Sequence, residues 1–366
     1  MPKQPVDLSA VQRVLVVKLR FHGDVLLSSP VLSVLKDALP HAEIDALVYR
    51  ETGDMISGHP ALSQLFAIDK AWKRLGPVGH WRAEWRLLQQ LKARKYDLVV
   101  VLTEQNRCAW LVRLLKPRWS VGPVWGGSGR FFKKSFTFLN RLVPDNSRHI
   151  VELHLDALRH LGIYPAETAR QLTMPVPAEV QADTTAMLQS AGAQLQRYIV
   201  VHPASRGDYK CWKPERVAEV INRLTARGEQ VVLTAAPTAD EQAMIAAIRQ
   251  RLERPVLDLT GQLSLKQLAV VIDQAKLLLG VDSVPMHMAA AMQTPVVALF
   301  GPTSPVVWGP WQVPHRLVTV DMSCRPCVME GCGNSRYSEC IERITVEQVM
   351  SSIDSLLAET ASSRAD

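Results

Sequence analysis

Three polar segments interrupt apolar runs in this 366-residue chain, and each carries side chains suited to a ligand rich in hydroxyls and negative charge. The first is Lys18-Leu19-Arg20-Phe21-His22-Gly23-Asp24-Val25. Gly23 suits a tight turn, which would deliver Asp24 to the rim of a site as a carboxylate able to take a proton from an attacking hydroxyl, the work of a general base. An Asp ahead of a helix also serves as an N-cap, on spacing alone the commoner use. Lys18 and Arg20 mark the place as polar and supply cations that can anchor phosphates of a ligand.

The second segment is His202-Pro203-Ala204-Ser205-Arg206-Gly207-Asp208-Tyr209-Lys210. A hydroxyl, small residues and a lysine between a strand and a helix suit a diphosphate, whose charge backbone N–H groups and an ammonium can share. Ser205 and Lys210 are the candidate ligands, with a solvated surface lysine as the ordinary alternative. The third runs Gly280-Val281-Asp282-Ser283-Val284-Pro285-Met286-His287 and continues through Thr294 to Thr303. Pro285 favours the first turn of a helix, so the amides around Ser283 to Met286 would face out of its N-terminus as an anion cradle. Asp282 reads as a cap and as an acceptor for a sugar hydroxyl. His287 would lie about a turn deeper, and Gly301 and Thr303 would allow close approach from the adjacent strand end. Glu241 can hold a ribose through its diol, or can simply favour a helix start through the macrodipole.

Cys324, Cys327, Cys332 and Cys340 form a C-x2-C-x4-C-x7-C block. Four thiols so close suit a structural zinc site, although the spacing matches common zinc modules only loosely. Reduced thiols tying down a loop, or local disulfides, are the rival readings. Cys108 and Cys211 read as lone structural cysteines.

These segments need elements to hold them. Short β-branched runs alternate with longer amphipathic stretches, the rhythm of a parallel sheet covered by helices. In the first half, strands are expected at residues 14–19, 44–48, 98–102 and 120–121. Helices are expected at 25–39, 81–94 and 151–161. The stretch 164–177 holds Pro165, Pro175 and Pro177, as a linker would. Beyond it, strands are expected at 198–201, 230–234, 256–259, 276–281 and 296–300. They alternate with helices at 215–227, 240–252, 265–274 and 286–292. The polar loops then open at the carboxyl ends of the strands, where open α/β sheets bind ligands. The expected domains are 1–175, 176–345 and a closing helical segment, 346–366, with a frayed tail.

Size agrees, since 366 residues exceed what one core usually organises. The chain is 47% hydrophobic and 21% charged, an ordinary globular composition. No apolar run approaches the roughly 20 residues that span a bilayer, and the start lacks the apolar stretch of a secretory signal, so a cytoplasmic protein is expected. The net charge of +7 is concentrated: residues 70–148 hold seventeen Lys/Arg against four acids, with six of the nine tryptophans. Such a stretch suits an anionic membrane surface or a phosphorylated acceptor. Solvated helix faces with core tryptophans would look the same.

Residues 18–30 (KLRFHGDVLLSSP), 202–212 (HPAS…K…W), 282–287 (DSVPMH) and 300–305 (FGPTSP) together resemble glycosyltransferase family 9, the ADP-heptose:lipopolysaccharide heptosyltransferases. The wording of GDVLLSSP and the late cysteines are most similar to the heptosyltransferase III type, with type I or II acceptor specificity as the alternative. The resemblance implies a GT-B fold, α/β, with two doubly wound Rossmann-like lobes facing across a cleft. The first lobe would bind the acceptor and the second ADP-heptose, with the closing helix crossing back to the first. It implies inverting transfer to a heptose of the lipopolysaccharide inner core, with Asp24 as base. Ser205, Lys210, Glu241, Asp282, Ser283, His287, Gly301 and Thr303 would serve the donor, and Lys18 and Arg20 the acceptor. No cofactor or catalytic metal is implied. Partners would be ADP-heptose, a phosphorylated core acceptor and the inner face of the cytoplasmic membrane, approached peripherally, with no nucleic acid. Ala204-Ser205 stands where type I has two threonines, so one hydroxyl contact is missing. Two rival classes remain on sequence. A basic nucleic-acid module with a zinc knuckle leaves the second-half loops unexplained, and a nucleotide-sugar epimerase or dehydrogenase is opposed by the absence of G-x-G-x-x-G at the first turn.

Overall fold

A computed structural model describes residues 6–142, 146–327 and 329–362. The chain divides into two compact units, Met1–Pro175 and Val176–Asp366. The expected frayed tail at 363–366 lies outside the described residues.

The first unit is built on six strands: β1 (Arg13–Val17), β2 (Glu43–Tyr49), β3 (Leu62–Ile68), β4 (Leu98–Val101), β5 (Trp119–Val124) and β6 (Phe138–Arg141). They lie parallel in the order β3-β2-β1-β4-β5-β6. Val17 registers with Leu47 on one side and Val101 on the other. β1 and β4 are covered on both faces, so they read as unbroken apolar runs.

The second unit repeats the plan with β7 (Tyr198–His202), β8 (Gln230–Leu233), β9 (Leu257–Asp258), β10 (Leu277–Val281), β11 (Val296–Leu299) and β12 (His315–Val318). Their order is β12-β11-β10-β7-β8-β9, all parallel. In each sheet the chain starts at a central strand, winds outward, then returns to wind the other way. The reversal leaves a switch point between β1 and β4 and another between β7 and β10, where successive loops diverge and leave room for a ligand. The closing helix, Val346–Ser362, buries Val349, Ile353 and Leu356 in one core with Leu277, Leu299 and Val318 of the second sheet.

Two features depart from the sequence reading. The helix expected over 25–39 is two helices, His22–Leu26 and Ser29–Ala38. Pro30 has no N–H and its ring would strike the carbonyl four residues back, so a helix can only restart with Pro30 in its first turn. The Ser28 hydroxyl donates to Val25 O at 2.7 Å and closes the first helix there. The strands β3, β6 and β12, and the helices Asn106–Leu115 and Ala178–Ser190, were not anticipated. Those strands are sheet edges: β3 exposes Ser63 and Gln64, β6 exposes Arg141, and β12 opens with His315 and Arg316, so none shows the buried apolar run that marks a central strand.

One buried charge ties the first sheet to its longest helix. Asp45 on β2 is fully buried and accepts from Arg94 Nε at 2.7 Å, Arg94 Nη2 at 3.2 Å and the Tyr96 hydroxyl at 2.7 Å. Removing Asp45 leaves the buried Tyr96 hydroxyl without its acceptor and takes from Arg94 one of its two carboxylate partners, Glu43 being the other. Asp45→Ala is therefore expected to cost about 3 kcal/mol, trimmed because Arg94 keeps some solvent contact. Urea unfolding measures it, and a loss of less than about 0.5 kcal/mol, the size of an ordinary surface substitution, would contradict this role for the network.

Candidate functional site

Asp24 lies where β1 empties into the first switch point. Its carboxylate sits in the first turn of the His22–Leu26 helix, whose N-cap is Phe21, so Asp24 is not the cap. Gly23 is helical and buried there rather than a turn residue. Asp24 Oδ1 is 3.5 Å from Lys18 Nζ and 3.9 Å from Arg20 Nε, and its side chain keeps 14% exposure. It is thus a carboxylate set between two cations with one face open.

Lys18 does not stand where an acceptor phosphate could meet it. Its side chain is 6% exposed, and its ammonium donates to Leu102 O at 3.2 Å and to His154 Nε2 at 3.0 Å. Burial draws this ammonium below the usual lysine range, against the pull of Asp24. His154 Nδ1 faces Leu27 O at 3.1 Å, which assigns the ring proton to Nδ1 and leaves Nε2 to accept from Lys18. Burial and the neighbouring Lys18 charge hold His154 well below the usual histidine range, so it is neutral. Thr103 Oγ1 accepts from Leu19 N at 3.1 Å, and Gln105 donates to Leu19 O at 3.1 Å, so the loop after β4 clamps the loop after β1. Thr103, Gln105 and His154 escaped the sequence reading. Their partners lie 84 to 136 residues away, and no local pattern signals such pairings. Arg20 is half exposed and lies 5.6 Å from the centre of the Phe21 ring, a cation directed outward.

At the second switch point the loops after β7 and β10 meet. Lys210 donates to Asp282 Oδ2 at 2.7 Å, and the Thr303 hydroxyl donates to the same oxygen at 2.6 Å. Asp282 is therefore an anchor for Lys210 rather than a helix cap; the cap position of the Val284–Met292 helix is Ser283. The Ser283 hydroxyl makes no cap bond, is buried, and has no hydrogen-bond partner among the described residues. A buried hydroxyl beside a helix N-terminus and an ammonium is arranged to donate to an anion. His287 is buried within that helix. Ser205 lies in the loop after β7, where its backbone N–H donates to Cys211 Sγ at 3.2 Å. Glu241 uses Oε2 to accept Ala236 N–H at 2.7 Å, fixing the turn after β8. Gly301 is explained from inside the protein: a Cβ there would come 2.5 Å from Ile341 Cγ1.

The late cysteines form no disulfide, although Cys332 and Cys327 lie near enough to Cys340 to add to burial in raising its thiol. Cys324 and Cys332 are exposed, Cys340 is buried, and all four are free. Among the described residues no three His, Cys, Asp or Glu side chains converge as a metal site requires. The zinc expectation therefore finds no ligand geometry, and with it the nucleic-acid reading loses its support.

The model of glycosyltransferase family 9 (heptosyltransferase) matches residues 84–338. The lipopolysaccharide heptosyltransferase 3 of Escherichia coli K12 is 38% identical over 295 residues, 80% of this chain and 83% of that protein. A family 9 glycosyl transferase from Veillonella parvula superposes with a TM-score of 0.83 at 23% identity, covering 97% of this chain and 99% of the other. E. coli heptosyltransferase WaaC with ADP superposes at 0.70 and 21% identity, covering 94% and 100%. The architecture is that of the GT-B fold.

A pH-sensitive prop underlies the second switch point. His202, at the end of β7, shares a hydrogen bond of 3.0 Å with Thr234 Oγ1, and burial pushes its pKa down to about 4. An unfolded histidine titrates near 6.5, so between those values the unfolded chain binds the extra proton, and stability falls as pH drops from 6.5 toward 4. His202→Gln is expected to make the stability lost between pH 7 and pH 5 smaller by about 2 kcal/mol. Parallel urea titrations at the two pH values test this, and an unchanged loss would mean that His202 titrates normally.

Proposed function

From a chain that belongs to glycosyltransferase family 9, and is therefore a glycosyltransferase, we infer an inverting transfer of heptose from ADP-heptose to a heptose of the lipopolysaccharide inner core. The observation that carries this reading is that the first unit holds a partly exposed carboxylate at its switch point, and the second unit holds an ammonium, a helix N-terminus and an unpartnered buried hydroxyl at its own. The first suits a hydroxyl that must lose a proton, and the second suits a diphosphate that must leave with its charge.

The chemistry follows from those groups. The acceptor hydroxyl oxygen bonds to the anomeric carbon as the bond from that carbon to the ADP oxygen breaks, and Asp24 receives the hydroxyl proton. Charge gathering on the departing diphosphate is met by Lys210, the Ser283 hydroxyl and the amides of the Val284–Met292 helix, dipoles already in place before the reaction. Asp282 and Thr303 hold the Lys210 ammonium ready for that task. Glu241, oriented by the Ala236 N–H, offers its second oxygen to the ribose diol. Ser205 and His287 border the same ligand, and Arg20 is the cation for an acceptor phosphate. Lys18 positions Asp24 from beneath. Protein cations and the helix end carry the leaving-group charge, so no catalytic metal is assigned, and transfer is expected to persist in excess chelator.

The acceptor kind, a lipid-linked core sugar, places the reaction at the cytoplasmic face of the inner membrane with peripheral attachment. No helix among the described residues is long and apolar enough to cross a membrane. The 38% identity to a type 3 enzyme favours that acceptor specificity over types 1 and 2.

Incubation with ADP-heptose and a series of truncated core acceptors, read by mass, tests the reading. One added heptose on a single acceptor class is expected, and no added heptose on any of them would overturn it. Asp24→Ala is expected to lower the transfer rate at least 10²-fold, the lower end of what a general base contributes, with ADP affinity unchanged. Lys210→Met is expected to weaken ADP binding about tenfold, since one charge-assisted hydrogen bond is lost. Near-normal turnover by folded Asp24→Ala would remove Asp24 from the mechanism.

A further inference from the structure

The Gly76–Arg94 helix buries only Leu87 and Leu91 among its residues, although it is the longest helix of the first unit. Val78, Trp81 and Trp85 follow one another along one side at helical spacing and are 63%, 61% and 47% exposed. The rings of Trp81 and Trp85 stack with centroids 5.7 Å apart and planes 13° from parallel, so they stand as one ordered blade. Across from them, Trp110 and Leu114 of the Asn106–Leu115 helix are 57% and 42% exposed. Between the two helices runs a groove of about 340 Å³. Its lining is apolar except for Glu84 and Arg107, which are ion-paired with each other.

The surroundings of this groove are as basic as its walls are apolar. Residues 70–118 contain twelve Lys/Arg and three acids. Three of the twelve are ion-paired, Lys70 with Glu51, Arg94 with Glu43 and Asp45, and Arg107 with Glu84, which leaves nine cations against Asp97 and Glu104. Arg82 and Arg86 are exposed and follow directly on Trp81 and Trp85 in sequence, which places cations beside the blade. Exposed indoles rimmed by unneutralised cations match the region between lipid headgroups and acyl chains, and the positive rim selects an anionic surface. A second copy of the chain would bring two such positive rims together, which opposes self-association. The groove also adjoins the catalytic loop: Leu19 lines it and lies five residues before Asp24.

We propose that the face formed by the Gly76–Arg94 and Asn106–Leu115 helices docks the protein on an anionic phospholipid bilayer, with Trp81, Trp85 and Trp110 seated at the interface. The proposal rests on the reading that the acceptor is lipid-linked, and it names the surface through which that membrane is met. Docking there brings the His22–Leu26 helix, which carries Asp24, toward sugars attached to the lipid headgroup.

Flotation of the full chain with vesicles of phosphatidylcholine alone, or with phosphatidylglycerol added, tests this, with quenching of tryptophan fluorescence by bromine-labelled acyl chains as a second readout. Binding and quenching are expected only with the anionic vesicles. The double variants Trp81→Ser/Trp85→Ser and Arg82→Glu/Arg86→Glu are each expected to lower vesicle affinity at least tenfold. Transfer to a water-soluble, deacylated core oligosaccharide should stay within about twofold of the parent. The charge-reversed variant alters only exposed side chains and keeps the test valid if the tryptophan variant folds poorly. Equal binding to both vesicle types, absence of quenching, or unchanged affinity in the charge-reversed variant would overturn the proposal. So would self-association that the same variants abolish. Vesicle binding without transfer to any core acceptor would sink the enzymatic reading and spare this surface, whereas transfer without vesicle binding would do the reverse.

Discussion

Everything chemical in this protein depends on where a parallel sheet reverses its winding. Parallel strands deliver all their outgoing loops to one edge, and only where neighbouring crossovers run to opposite faces do adjacent loops separate. Each unit has one such place, and the reactive groups have gathered there. Asp24 leaves β1 beside the loop that leaves β4, and Lys210 leaves β7 beside Asp282, which leaves β10. The same edge supplies outward-facing backbone amides at the start of the Val284–Met292 helix, so the fold contributes part of the anion site before any side chain is chosen.

Burial then decides which charges are structural and which are free to act. The Lys18 ammonium has nearly no solvent contact, and it is tolerated because a carbonyl, a neutral imidazole and a carboxylate surround it. Such a group cannot be drawn out to a ligand without stranding His154 and Asp24, so its function is to fix the carboxylate. Arg20, two residues on, lies 3.9 Å from the same carboxylate but is half exposed, so it meets solvent where Lys18 does not. At the other site, Lys210 retains 20% exposure and shares a single Asp282 oxygen with Thr303, an arrangement in which the ammonium keeps donors to spare.

Much of this was legible from residue order. The central strands β1, β4, β7 and β10 are covered on both faces, and continuous apolar sequence is the direct consequence. The polar segments that follow them therefore stood out, and Asp24, Lys210, Asp282 and Ser283 were all drawn from those segments. What failed was information that depends on distance in space. Asp24 and Asp282 each looked like a helix cap, yet the caps are Phe21 and Ser283, because cap identity turns on a single backbone angle. The close packing of Gly301 against Ile341, forty residues later, likewise has no local signal. His154 carried no signal, since a lone histidine on an amphipathic helix looks like any other until its partners are placed.

The proposed reaction is a single in-line displacement in which Asp24 takes the proton and the diphosphate leaves from the opposite face of the sugar. The most direct measurement is the anomeric configuration of the newly attached heptose, read by NMR from the one-bond carbon–proton coupling of the purified product against the donor. A configuration opposite to that of the ADP-linked sugar is expected. Retention would mean either two successive displacements or attack on the face from which the diphosphate leaves, and neither is the in-line reaction with Asp24 as base.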